Sequence, residues 1–142
     1  MRMRVLMLGK TRRPELRALL EDYLKRIRRY VPLEMVEVRD GDAALPKLEA
    51  DRAATVVLLE AGGQQFDSAG FAHWLGELRD RGTREVVFVC GDAQGFPARL
   101  RQRTHQKLSL SAMTFSHELA RVVLAEQIYR AFAILSGSPY PK

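Results

Sequence analysis

The sequence predicts a single α/β domain built on a largely parallel sheet, and three observations carry that prediction. Short apolar runs alternate with helix-spaced segments along the whole chain, the pattern of strands joined by helical crossovers. Two runs, at 55–59 and 85–90, are almost continuously apolar, as strands covered on both faces must be. Glycine or small residues follow the runs at 60–63, 91–95 and 111–115, and open parallel sheets bind ligands beyond such strand ends.

Residues 4–8 read as a first strand, followed by a loop at 9–13 and a helix from Pro14. Proline suits a first helical position because its missing N–H is needed by nothing there, and Glu15 follows where the helix dipole favours an acid. Leu16, Leu19, Leu20, Tyr23, Leu24 and Ile27 recur at helical spacing, with Arg17, Lys25, Arg26, Arg28 and Arg29 on the remaining surface. Pro32 closes that element. Residues 33–38 form a second strand toward a sheet edge, since Glu34 and Glu37 interrupt it. The polar stretch 40–51, with Gly41 and Pro46, reads as a loop and a short helix. A buried strand at 55–59 and a helix at 67–81, with Phe71, Trp74, Leu75 and Leu78 inward, come next. After Gly82 the chain enters a fourth strand at 85–90, a short basic helix at 97–106 and a fifth strand at 108–110.

The last third is a small-residue loop leading into a long helix from Ser116 to Leu135, with Ser116 as N-cap and Gly137 and Pro139 ending it. Arg121, Glu126, Gln127 and Arg130 share no single stripe, so apolar side chains cover most of the circumference. Such a helix is buried on more than one side. It fits a central core helix, or one covered in part by a second subunit.

At 142 residues the chain has room for one domain, and no apolar run approaches the length of a membrane span. The N-terminal MRMRVLMLGK reads as a strand rather than a signal peptide, so a soluble, cytoplasmic protein with no membrane partner is expected. The lone Cys90 excludes an intrachain disulfide and a multi-cysteine zinc site, and reads as a small buried hydrophobe. His73, His105 and His117 are too scattered for a zinc site, so no metal is expected.

The net charge of +6 is uneven: residues 1–30 hold ten Lys or Arg against three acids, and the other 112 residues hold thirteen against fourteen. A second basic run, Arg99, Arg101, Arg103 and Lys107, lies in a stretch without acids between Ala93 and Ser116. Clustered cations suit a phosphate-bearing partner, and equally a solvated helix face. No G-x-G-x-x-G follows the first strand, and there is neither a Walker lysine motif nor a nucleophile-elbow serine.

The words SLSAMTFSHELARVVLAEQIYRA and the closing PY resemble the C-terminal signature of the RlmH family, S-adenosylmethionine-dependent rRNA methyltransferases of the SPOUT superfamily. The opening strand, LLEAGG at 58–63 and GDAQG at 91–95 extend the similarity over nearly the whole chain. The resemblance implies a SPOUT-type α/β knot, with residues 108–115 threading a loop of the preceding strands. It implies a homodimer that methylates N3 of a pseudouridine in 23S rRNA of the assembled ribosome. Carried over residue by residue, contacts to S-adenosylmethionine fall on Leu59, Gly91, Leu110, Ser111, Ala112, Met113, Thr114 and Phe115.

His117, within TFSHELAR, is the leading histidine for proton transfer, and its place at a helix start also suits a capping role. Arg121 is expected to hold a phosphate or the cofactor carboxylate, or else a salt bridge. Tyr140 is expected to stack on or hydrogen-bond the RNA, and Arg26, Arg29, Arg99, Arg101, Arg103 and Lys142 to contact its phosphates. Two positions depart from the family's pattern: Asp92 follows Gly91 where a second glycine is usual, and Pro141 replaces the tail histidine. The alternative reading is an RNA- or ribosome-binding protein that keeps the fold and transfers methyl groups weakly or not at all.

Overall fold

The computed structural model describes residues 1–50, 52–104 and 106–140. Strands and helices alternate in the order β1 (Arg2–Leu8), α1 (Pro14–Ile27), β2 (Leu33–Val38), α2 (Gly41–Glu49), β3 (Thr55–Gln65), α3 (Ser68–Asp80), β4 (Glu85–Cys90), α4 (Ala98–Arg103), β5 (Gln106–Ser109) and α5 (His117–Leu135). Neighbouring strands are all parallel, in the order β2-β1-β4-β3-β5. The expected α/β class and parallel sheet are therefore present, with β2 at an edge.

β4 is buried at every position, which is why its run does not alternate. Its first residue, Glu85, is only 2% exposed and is held by Arg2 and Arg4, each at 3.0 Å, so the buried carboxylate is compensated from the adjacent strand. The period of two along each strand divides the apolar side chains between two layers. Val5, Met7, Val57 and Phe88 pack under α1, α3 and α5, with Ile27, Leu75, Leu124 and Ile128. Leu6, Leu8, Leu58, Val87 and Val89 pack against α2 and α4, with Ala44, Leu48 and Leu100. Each Val, Leu, Ile, Met or Phe side chain fully removed from water stabilises the fold by about 1.5–3 kcal/mol.

α5 contacts both α1 and α3 and lies over the sheet between them. That position accounts for most of its broad apolar circumference within one chain. Leu119 and Ile134 stay 40% exposed. Ser116 caps the helix, accepting from the Leu119 N–H at 3.3 Å. Gly137, at φ 76°, ends it in a left-handed turn closed by the Ser138 N–H donating to the Ala133 carbonyl at 2.9 Å.

Four boundaries differ from expectation. Residues 41–49 form one continuous helix through Pro46, capped by Asp40, whose carboxylate accepts from the Ala43 N–H at 2.9 Å. α4 is shorter than predicted, because Gln106 already belongs to β5, which ends at Ser109. β3 continues past Leu59 to Gln65. Its pairing with β5 shifts register there: Leu108 stands opposite Leu59 and again opposite Gln64, so residues 60–63 are pushed out of the ladder.

Candidate functional site

The displaced segment of β3 is what opens a cavity at the carboxyl ends of β3, β4 and β5. The cavity measures about 430 Å³, within the range of small-molecule sites. Three short chain segments build it. Leu59 to Gly62 form one wall, Gly91 with the turn to Phe96 a second, and the 110–115 loop with the start of α5 the third.

Each wall is fixed by local chemistry. Glu60 is ion-paired to Arg101 of α4 and lies 3.7 Å from Lys107 of β5, which ties the displaced segment to its neighbours. The 91–95 turn is closed by the Asp92 carboxylate, which accepts from the Gln94 N–H at 2.8 Å, with Gly95 at φ 77°. A Cβ at Gly91 would sit 3.1 Å from the Phe96 ring, so glycine there lets the ring lie against the backbone. In the third wall the Ser109 hydroxyl donates to the Ser111 carbonyl at 2.9 Å, and the Ser111 hydroxyl accepts from the Met113 N–H at 3.0 Å. Glu118, just inside α5, accepts from the N–H groups of Arg12 and Arg13 at 2.8 and 3.0 Å. The Arg13 N–H first, then that of Arg12, hold its carboxyl below the usual carboxylate range.

Of the residues expected to hold a cofactor, Leu59, Gly91, Leu110, Ser111, Met113, Thr114 and Phe115 line this cavity; Ala112, which is exposed, does not. His117 lines it as well. The strand-end loops expected at 60–63 and 91–95 contribute Glu60, Ala61, Gly62, Asp92 and Gly95 to the lining, whereas spacing did not single out Phe96 or Ala120, although Phe96 directly follows the glycine turn. Cys90 forms part of the floor, and burial pushes its thiol up to about 12, which keeps it protonated and inert at neutral pH. The lining fits a nucleoside-bearing ligand: apolar walls from Leu59, Leu110, Met113 and Phe115 flank glycine and serine backbone able to reach a base edge or ribose.

Two expected catalytic residues lie elsewhere. Arg121 is 1% exposed and donates to the Thr11 hydroxyl at 2.8 Å and the Leu8 carbonyl at 2.6 Å, joining α5 to the end of β1. Its Nε has no hydrogen-bond partner among the described residues, and burial lowers the guanidinium pKa. Tyr140 lies over α5: its hydroxyl donates to Glu126 at 2.9 Å, its ring meets Tyr129 edge-on at 4.6 Å, and the Arg130 guanidinium lies 5.5 Å from its centroid. Burial, then the hydrogen bond to Glu126, raises the phenol pKa.

The basic residues fall into two groups. Arg26 and Arg29 are at the end of α1, hence at the amino ends of the parallel strands and away from the cavity. Arg26 pairs with Asp22 at 3.3 Å and lies 5.7 Å from the Tyr129 ring centroid; Arg29 is exposed. Arg99, Arg101 and Arg103 belong to α4, beside the cavity. Arg99 is exposed, Arg101 holds Glu60, and Arg103 donates to the Leu48 carbonyl at 3.4 Å. Lys142 and Pro141 lie outside the described residues. Among the described residues no group of His, Cys, Asp or Glu is arranged to hold a metal, and no helix is long and apolar enough to cross a membrane.

Comparison with known proteins matches residues 1–141 to a family described as predicted SPOUT methyltransferases. The chain is 46% identical to the ribosomal RNA large subunit methyltransferase H of Pelobacter propionicus, over 99% of each chain. Proteins of the same name from Trichlorobacter lovleyi and Geobacter sulfurreducens are 43% and 41% identical, again over 99% of each chain. Among solved structures, the SpoU methyltransferase AviRb of Streptomyces viridochromogenes, in complex with AdoMet, superposes with a TM-score of 0.58 at 15% identity, covering 96% of this chain and 59% of that one.

Proposed function

This chain belongs to the SPOUT methyltransferase family, and on that premise we propose that it methylates N3 of a pseudouridine in 23S rRNA of the assembled ribosome. The cavity at the ends of β3, β4 and β5 is the observation that carries this reading, because backbone-rich walls and His117 converge there. Bound in it, S-adenosylmethionine supplies a methyl group on a sulfonium, already electrophilic, so no covalent intermediate on the protein is required. The residues then have three tasks: to orient the donor, to keep competing water out and to receive the N3 proton.

Orientation falls to the backbone of Gly91 and of 110–115 between the Leu59, Leu110 and Phe115 side chains. Proton acceptance is assigned to His117, the histidine in the wall. Arg121 contributes by fixing the start of α5 against β1 rather than by touching substrate. In this reading residues 108–115 thread the loop of the preceding strands as a knot. The enzyme acts as a homodimer in which Tyr140 serves the cavity of the second copy. Arg26, Arg29, Arg99 and Lys142 contact rRNA phosphates, whereas Arg101 and Arg103 bind RNA by loosening contacts they already make.

Purified ribosomes lacking the modification, incubated with the protein and S-adenosylmethionine carrying a labelled methyl, should take up label at one nucleotide; free rRNA should take up little. Ribosome binding without label transfer would replace this reading with that of a non-catalytic RNA-binding protein.

A further inference from the structure

We propose that Asp92 makes the cavity discriminate by charge, so that it holds a cationic sulfonium donor more tightly than the neutral thioether left after transfer. This rests on the cofactor reading above and adds to it the residue that favours donor over product.

Among the described residues Asp92 and Glu60 are the two carboxylates lining the cavity, and the structure treats them differently. Glu60 is paired with Arg101 and lies 3.7 Å from Lys107, so it offers a ligand no net negative charge. Asp92 is joined to no Lys or Arg by a salt bridge among the described residues. One of its oxygens is used by the Gln94 N–H at 2.8 Å, and the paired Asp92 and Gly95 backbones hold the turn in place. The carboxylate is therefore fixed in position and only partly exposed to solvent. Buried Arg121 attracts it only at longer range, its own hydrogen bonds going to Thr11 and Leu8. The lining thus carries one fixed negative charge not matched at close range.

A sulfonium donor with its amino-acid group carries a net charge of about +1, and the thioether product is neutral at the same sulfur. A fixed carboxylate in a partly desolvated cavity favours the first and leaves the second unaffected, because Coulomb attraction acts on charge and the shapes are nearly alike. Product would then leave without having to be pushed out by fresh donor.

The test is calorimetric titration of the purified protein with three ligands: S-adenosylmethionine, S-adenosylhomocysteine, and sinefungin, whose protonated amine replaces the sulfonium. Asp92→Asn and Asp92→Ser both retain an oxygen to accept from Gln94, and circular dichroism verifies the fold. We expect the preference for both cationic ligands over S-adenosylhomocysteine to fall about tenfold in each variant. Affinity for the neutral ligand should change by less than about twofold. If all three ligands bind and the ratios stay at their wild-type values, Asp92 does not discriminate and the inference fails by itself. If the wild-type protein binds none of them, the cofactor reading fails and the inference falls with it.

Discussion

Arg121 shows how far a residue's type and its neighbours in sequence can be from its surroundings in the fold. In the sequence it is one of four polar residues scattered around a long helix, and the family-like word around it invites a ligand role. Among the described residues it is the largest of the fully buried side chains and has no carboxylate at salt-bridge distance. A buried cation is tolerated because Thr11 and the Leu8 carbonyl replace part of its lost hydration, with Glu37, Glu118 and Asp92 adding attraction at longer range. Replacing it with alanine leaves a cavity and strands both acceptors, so Arg121→Ala should destabilise the chain by about 2–4 kcal/mol in urea unfolding. Arg121→Met fills the volume, removes the charge and should cost less than half as much. Equal losses in the two variants would mean that the hydrogen bonds and charge, rather than packing, set the cost.

Among the elements, those read well from sequence were the ones whose pattern reports a local cause. Continuous apolar runs gave β4 and the first half of β3, Pro14 with Glu15 marked the start of α1, and Ser116 and Gly137 bracketed α5. What escaped depends on partners distant in sequence. The extension of β3 to Gln65 exists because β5 pairs with it twice, on either side of a displaced segment that local propensity reads only as loop. The three cavity walls were legible from the loops that follow the strands; the Glu60 tie to Arg101 and Lys107 was not, since nothing in LLEAGG announces a cation more than forty positions away. Gly63 is the hinge of this arrangement. A Cβ there would lie 2.7 Å from the Lys107 carbonyl carbon and 2.9 Å from the Leu108 nitrogen, both backbone atoms that cannot swing aside. Gly63→Ala should therefore cost about 1–3 kcal/mol by forcing β5 away from β3. It should weaken S-adenosylmethionine binding more than tenfold in calorimetry, while Gly62→Ala, with nothing within 4 Å of the added carbon, should unfold in urea as the wild type does.

At the scale of the whole molecule, the two ends of α5 serve different places. His117, at its start, lines the cavity, whereas the tail after its last turn brings Tyr140 onto Glu126, Tyr129 and Arg130, residues that do not line it. If both act in one reaction, the second must come from another copy, and the partly exposed Leu119 and Ile134 on the same helix offer apolar surface for that contact. Complementation between two damaged chains tests this directly. His117→Ala spoils a cavity and leaves the tail intact; Tyr140→Ala does the reverse. Each homodimer should methylate ribosomes at least about tenfold more slowly than the wild type. Random reassociation of equal amounts makes half of the dimers mixed, and each mixed dimer has one site with both an intact cavity and an intact tail. Activity should then return to about a quarter of the wild-type rate per chain. Light scattering should give about twice the 16.1 kDa chain mass throughout. Dimers of that mass with no recovered activity would confine the reaction to one chain, and Tyr140 would then be a packing residue of α5.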